Sequence, residues 1–153
     1  PDDIRWHAIG HLQTNKAKKV ANLAHLVHAV DSTKLFEVLS KYASKPLDVL
    51  LQLHIATESS KHGFSESELL KALDQGLLSN PSIRTRGLMG MASFTSDENQ
   101  IAKEFRTLRR VFDSLQLGDD FDTVSMGMSG DWKIAIEEGS TLIRVGSAIF
   151  GSR

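Results

Sequence analysis

Thr123-Val124-Ser125-Met126-Gly127-Met128-Ser129-Gly130-Asp131 is the stretch whose reading decides the fold. It opens as a short apolar run that alternates like a strand, passes into small residues, and meets a helical pattern that starts near Asp131 and stops at Gly139. A strand feeding a helix through glycines and serines leaves backbone N–H groups free at the positive end of that helix, which is chemistry for holding a phosphate. A second copy of the same grammar follows in Thr141 to Val145 and then Gly146-Ser147-Ala148-Ile149-Phe150-Gly151.

Working outward, the same alternation recurs along the chain at roughly the spacing of one βα unit of a small barrel, about 25 residues. Strands are expected at Arg5 to Ile9, Leu26 to Val30, Val49 to Ile55, Thr85 to Met89, Thr123 to Met126 and Thr141 to Val145, several too apolar for a sheet wetted on one face. Leu35, Val38, Leu39 and Tyr42 share one helical stripe, and Ile101, Phe105, Leu108, Phe112 and Leu115 share another. Ser65 and Glu68 form a capping box before Leu69, Leu70 and Leu73, with Gly76 as the stop. Alternating βα units require a parallel sheet, closed as a barrel or open and doubly wound, and periodicity does not choose between them.

Composition narrows the functions available. With 153 residues and 41% hydrophobic content, the chain suits one domain with one core. Eighteen basic against nineteen acidic residues give a net charge of -1, so no global field draws nucleic acid or an acidic membrane, and any anion site is local. No cysteine occurs, which excludes disulfides, thiolate metal sites and cysteine nucleophiles and favours a cytoplasmic home. No apolar run approaches a membrane span, and Pro1-Asp2-Asp3 lacks the character of a signal peptide. A start on proline, close to a strand-like run, is read as the start of a fragment.

By strand alternation, Ile143 and Val145 suit an outer helix layer and Arg144 points inward. A guanidinium there needs an anion or an acceptor: a bound ligand, or an internal ion pair with Glu137, Glu138 or Asp131. The same parity groups His7, Ile9 and His11 on one inward face and Gln52 with His54 on another. His25 and His28 form the closest histidine repeat but face opposite ways on a strand, so no metal site is expected. Lys61, in the polar loop Thr57 to Gly63, is read as solvated, as are Glu137-Glu138 and Asp119-Asp120. Met89, Met91, Met126 and Met128 are read as packing.

The series Trp6-His7-x-Ile9-Gly10-His11-Leu12-Gln13-x-Asn15-Lys16, Asp48-Val49-Leu50-Leu51-Gln52, Glu58-Ser59-x-Lys61-x-Gly63-Phe64 and Arg86-Gly87-Leu88-Met89, completed by the two carboxyl-terminal segments, resembles the pyridoxal-phosphate homeostasis family. That family is similar to the amino-terminal barrel of alanine racemase, and the match runs from about Trp6 to the end of the chain. The resemblance implies a (β/α)8 TIM-type barrel in one domain, 1–153, of which the six carboxyl-terminal βα units are present and the first two are missing. It implies pyridoxal 5'-phosphate binding and intracellular vitamin B6 and amino-acid homeostasis, as a non-catalytic carrier or regulator without catalytic residues. A racemase or decarboxylase acting through the same cofactor is the alternative.

Cofactor-binding positions carry over to Ser125, Gly127, Ser129, Arg144, Gly146 and Ser147, with Arg144 on the phosphate or the pyridine-nitrogen side, and inward-facing His7 joins the set. The family's Schiff-base lysine is expected upstream of Trp6 and has no counterpart in this chain, and His54 stands where the family usually has asparagine. The expected partner is the small-molecule cofactor, without nucleic acid or membrane. The complete protein is expected to be a monomer, and the fragment to pair through open strand edges or with its missing segment.

Overall fold

The computed structural model describes residues 3–58 and 62–151. Strands and helices alternate: β1 (His7–Ala8), α1 (Thr14–Leu23), β2 (Leu26–Val30), α2 (Thr33–Tyr42), β3 (Leu47–Gln52), α3 (Glu66–Asp74), β4 (Ile83–Met89), α4 (Glu98–Leu115), β5 (Thr123–Met128), α5 (Trp132–Glu137), β6 (Leu142–Arg144) and α6 (Ser147–Phe150). A 3-10 turn, Leu77–Ser79, follows α3. None of these helices is long and apolar enough to cross a membrane.

All six strands are parallel and lie in the order of the chain. A doubly wound sheet reverses its strand order at a switch point, so the sequential order settles the alternative left open by periodicity in favour of barrel-type winding. Curvature follows from side chains that meet across the concave face. In a flat sheet β2 and β5 would lie roughly 14 Å apart, three strand spacings, yet His28 Nδ1 of β2 is 3.0 Å from Ser125 Oγ of β5. The sheet is a trough, half of a barrel, with β1 and β6 at its edges.

Two apolar layers hold it. On the convex side Val27, Val49, Leu51, Leu88, Val124 and Met126 pack under Leu35, Leu39, Leu69, Phe105, Leu108 and Val111 of the helices. Inside the trough Leu26, Ala29, Leu50 and Met89 form a smaller cluster with Leu142 and Met91. Burying both faces is why these strands read as nearly continuous apolar runs.

The helices start where their caps dictate. Ser32 Oγ accepts the Leu35 N–H at α2, the Ser65–Glu68 capping box opens α3, and Asp97 accepts the N–H groups of Asn99 and Gln100 at α4. Glu104 of α4 ties down the rim: its buried carboxylate accepts from Ser93 N–H, the Ser93 hydroxyl, Thr57 N–H and Gln100.

Several boundaries differ from those expected. The run Arg5 to Ile9 yields only His7–Ala8, because an edge strand pairs on one side alone and Gly10 turns away at φ 81°. β3 and β4 begin earlier than their apolar runs, at Leu47 and Ile83, which are register partners with Asp48 and Arg84 ion-paired beside them at 2.6 Å. β3 ends at Gln52 rather than Ile55, and the chain beyond it pairs with Phe64 instead. Of the charges read as solvated, Glu138 is sheltered and pairs with Arg106, whereas the Asp120 side chain is fully exposed and only touches Arg86 at 3.4 Å.

β4 carries one extra residue: Val49 faces Thr85 and Leu50 faces Gly87, leaving Arg86 bulged toward Asp122. Gly87 sits at φ 154°, and a Cβ there would lie 1.8 Å from the Thr123 carbonyl oxygen. We predict that Gly87→Ala destabilises the chain by about 2 kcal/mol or more, since strain adds to a backbone clash. A urea midpoint equal to wild type would show that β4 and β5 do not approach this closely.

Candidate functional site

The carboxyl-terminal ends of the strands gather the polar groups in two layers. In the deeper one Arg144 reaches inward, as alternation requires, and donates from Nη1 to Ser125 Oγ at 2.7 Å and from Nη2 to the Gly90 carbonyl at 3.0 Å. Ser125 Oγ lies 3.0 Å from His28 Nδ1, and His28 Nε2 lies 3.1 Å from His7 Nδ1. Among the described residues no carboxylate pairs with Arg144: Glu138 is held by Arg106, and Asp131 accepts the Met128 N–H.

Burial lowers the Arg144 pKa to about 10, with only the Asp131 charge opposing the shift. Burial, then Arg144, then His7 press His28 down to about 3, so His28 is neutral with one donor and one acceptor nitrogen. Since Arg144 donates into Ser125, the arrangement that leaves no buried donor idle sends the Ser125 hydroxyl to His28 Nδ1 and His28 Nε2–H to His7 Nδ1. The network is thus polarised from the guanidinium outward.

The upper layer joins the loops after β5 and β6. Gly127 is obligatory at φ 94°, where a Cβ would meet that of Ala135 at 2.5 Å, so α5 packs directly on the strand end. Beyond it Ser129 Oγ accepts both the Gly146 and the Ala148 N–H, each at 3.2 Å. Two backbone donors from the β6 end therefore converge on a single oxygen. Gly130 and Gly146 have open space at their Cβ positions, and Ser147 begins α6 on the surface. Ser125 and Ser129, both assigned to the cofactor by the resemblance, lie in different layers, because Ser125 is inside the strand and Ser129 beyond it.

The structure brings Ser125, Arg144 and His7, through His28, into one hydrogen-bonded group and Ser129 and Gly146 into another, two residues past Arg144. Gln52 lines the trough, donating to the His62 carbonyl at 2.8 Å, and its Oε1 is a buried acceptor with no donor. His54 turns aside to the Glu58 carbonyl. Ile9 is 60% exposed and lines nothing. Lys61 lies outside the described residues. Sequence reasoning missed His28 as a site residue: weighing it against His25 for metal spacing hid its partners on distant strands.

The alanine racemase, N-terminal domain family matches residues 3–153. A pyridoxal phosphate homeostasis protein of Vibrio alginolyticus is 41% identical over all of this chain, which spans 67% of that protein. The structure of PipY of Synechococcus elongatus with PLP bound superposes at a TM-score of 0.85 with 33% identity, covering 97% of this chain and 71% of PipY. The PLP-free structure of the same protein gives 0.89 at 34% identity, covering 97% and 72%. Alanine racemase of Clostridium difficile, 11% identical, shares the fold at a TM-score of 0.72, with 98% of this chain and 40% of the racemase covered.

The unfolded chain protonates His28 near the ordinary imidazole value of 6.5, whereas in the folded chain burial holds it down to about 3. The stability that neutral His28 contributes is complete above the unfolded value and is lost as pH falls toward the folded one. We predict a loss of about 2–3 kcal/mol between neutral pH and pH ~4, markedly reduced in His28→Gln. Urea unfolding at stepped pH measures this, and identical slopes in the two proteins would mean that His28 is not held neutral.

Proposed function

The chain belongs to the alanine racemase N-terminal-domain family and groups within it with the pyridoxal phosphate homeostasis proteins, and from that premise we propose that it binds pyridoxal 5'-phosphate at the carboxyl-terminal end of its trough. The observation that carries this reading is the convergence of the Gly146 and Ala148 N–H groups on one oxygen, with the Arg144 guanidinium at the end of the strand just before them. Ser129, Gly127, Gly146 and Ser147 would hold the phosphate. Ser125, Arg144 and His7 would form the floor against the ring, and the orphaned Gln52 Oε1 fits a ligand donor from within the trough.

When bound, pyridoxal 5'-phosphate supplies an electrophilic aldehyde and an electron-accepting pyridine ring. Here Arg144 would present a charge that no described carboxylate cancels. Near the phosphate it stabilises the dianion, and near the ring nitrogen it opposes protonation and so weakens the electron sink. Carriage of the cofactor in its homeostasis, rather than turnover of an amino acid, is the function that follows. Two further βα units between β6 and β1 would close such a sequentially wound six-stranded trough into an eight-stranded barrel, and a covalent anchor for the aldehyde would belong on units of that kind.

We predict that the chain binds pyridoxal 5'-phosphate more tightly than unphosphorylated pyridoxal, and that Ser129→Ala and Arg144→Ala each weaken binding at least about tenfold. Arg144→Lys, which keeps the charge but loses the fork, would fall between. Equilibrium dialysis of the full chain checks this. Unchanged affinity in both alanine variants would overturn the cradle, and amino-acid turnover by the loaded protein would overturn the carrier reading.

A further inference from the structure

Three loops at the rim, outside the cradle, bring together a set of side chains that periodicity does not connect. Asp31 directly follows β2, His11 follows the Gly10 turn after β1, and His62 comes from the segment between β3 and α3. His11 Nδ1 lies 2.8 Å from Asp31 Oδ2, and His62 Nδ1 lies 3.9 Å from the same oxygen. The two imidazoles stack with centroids 3.8 Å apart and planes 13° from parallel. One ligand atom from each of the three residues lies within 4.8 Å of the others.

We propose that His11, Asp31 and His62 bind a first-row transition-metal dication, of the zinc or cobalt type, at this rim. Zinc holds nitrogen and carboxylate ligands at about 2.0–2.2 Å, which puts tetrahedral ligand atoms roughly 3.4 Å from one another. The observed 2.8 and 3.9 Å separations bracket that value. To admit the ion, His11 gives up its contact with Asp31 and the two exposed rings rotate out of their stack so that both Nδ1 lone pairs converge. Two imidazoles and one carboxylate match zinc, cobalt or nickel, whereas magnesium and calcium demand oxygen-rich sets.

The supports around the ligands suit the role. Asp31 is the sheltered member, its side chain 9% exposed against 45% for His11 and 57% for His62, and its other oxygen accepts from Ser32 Oγ at 3.1 Å. His62 is fixed through its backbone: its carbonyl accepts from Gln52 Nε2, and Phe64 two residues on pairs with Gln52 and His54 at 2.8 Å each. Exposure of both histidines leaves the remaining coordination positions to water or to a small anionic ligand, the open form of such a site. A hydrogen-bonded latch between loops, with no ion, is the competing account.

Titration of the full chain with cobalt(II), read by visible d–d absorption, and with zinc by calorimetry separates the two. The expected result is saturable uptake of one ion per chain, weakened at least about tenfold in His11→Ala and in His62→Ala and unchanged in His25→Ala. Zinc should also raise the melting temperature of the wild type and not of the His11→Ala/His62→Ala double variant, whose substituted residues are exposed and leave the fold intact. Absence of saturable uptake, or uptake undiminished in the double variant, would overturn the proposal. Because no cradle residue is altered, failure here leaves the cofactor reading standing.

Discussion

The polar network of the concave face turns on a half-buried guanidinium with which no described carboxylate pairs. Arg144 sits on β6, a three-residue edge strand, and donates to the Ser125 hydroxyl and the Gly90 carbonyl. A charge in such surroundings is costly unless every available acceptor is turned toward it. That requirement ties β6 to the chain just past β4 and orients the Ser125 hydroxyl. Through Ser125 it also demands a neutral His28, since a protonated imidazole would bring a second cation and leave the hydroxyl with nowhere to donate. The tautomer of His28 and the readiness of Arg144 to meet an anion both follow from that one charge.

What was legible in the sequence followed from burial on both sheet faces. Leu26–Val30, wholly buried, appears in the structure with the boundaries its apolar run predicts. The capping box of α3 survives because Ser65 and Glu68 decide it locally. α1 escaped notice because its buried residues, Ala17 and Ala21, are too small to make an apolar stripe visible, yet their spacing packs the helix. The inward direction of Arg144 came from parity alone, whereas Ile9 followed the same parity into solvent because its strand is only two residues long. Parity needs a real ladder beneath it.

The candidate site was legible only in part, for a related reason. Gly127, Ser129, Gly146 and Ser147 are adjacent in sequence to the strands that position them, so their local pattern announces them. His28 and Ser125 are 97 residues apart, and only rolling the sheet makes them neighbours. His11, Asp31 and His62 are separated in the same way, each beyond a strand end where alternation has ceased to hold. A reading that pairs histidines by short spacing is blind to both groups. In barrel-type folds, residues ending successive strands deserve to be grouped by strand position before sequence distance is considered.

The two groups divide the rim by chemistry. Around β5 and β6, backbone N–H groups and Arg144 offer donors; around β1 to β3, imidazoles and Asp31 offer lone pairs. With a net charge of -1 the chain has no overall field to recruit either ion, so each region works through local geometry at short range. Gln52 lies between them in strand order: its Nε2 steadies the His62 backbone, and its Oε1 remains a buried acceptor. The His62 backbone is therefore tied to the polar floor of the trough through one side-chain amide. That amide thus touches both ends of the rim, even though they share no ligand atom.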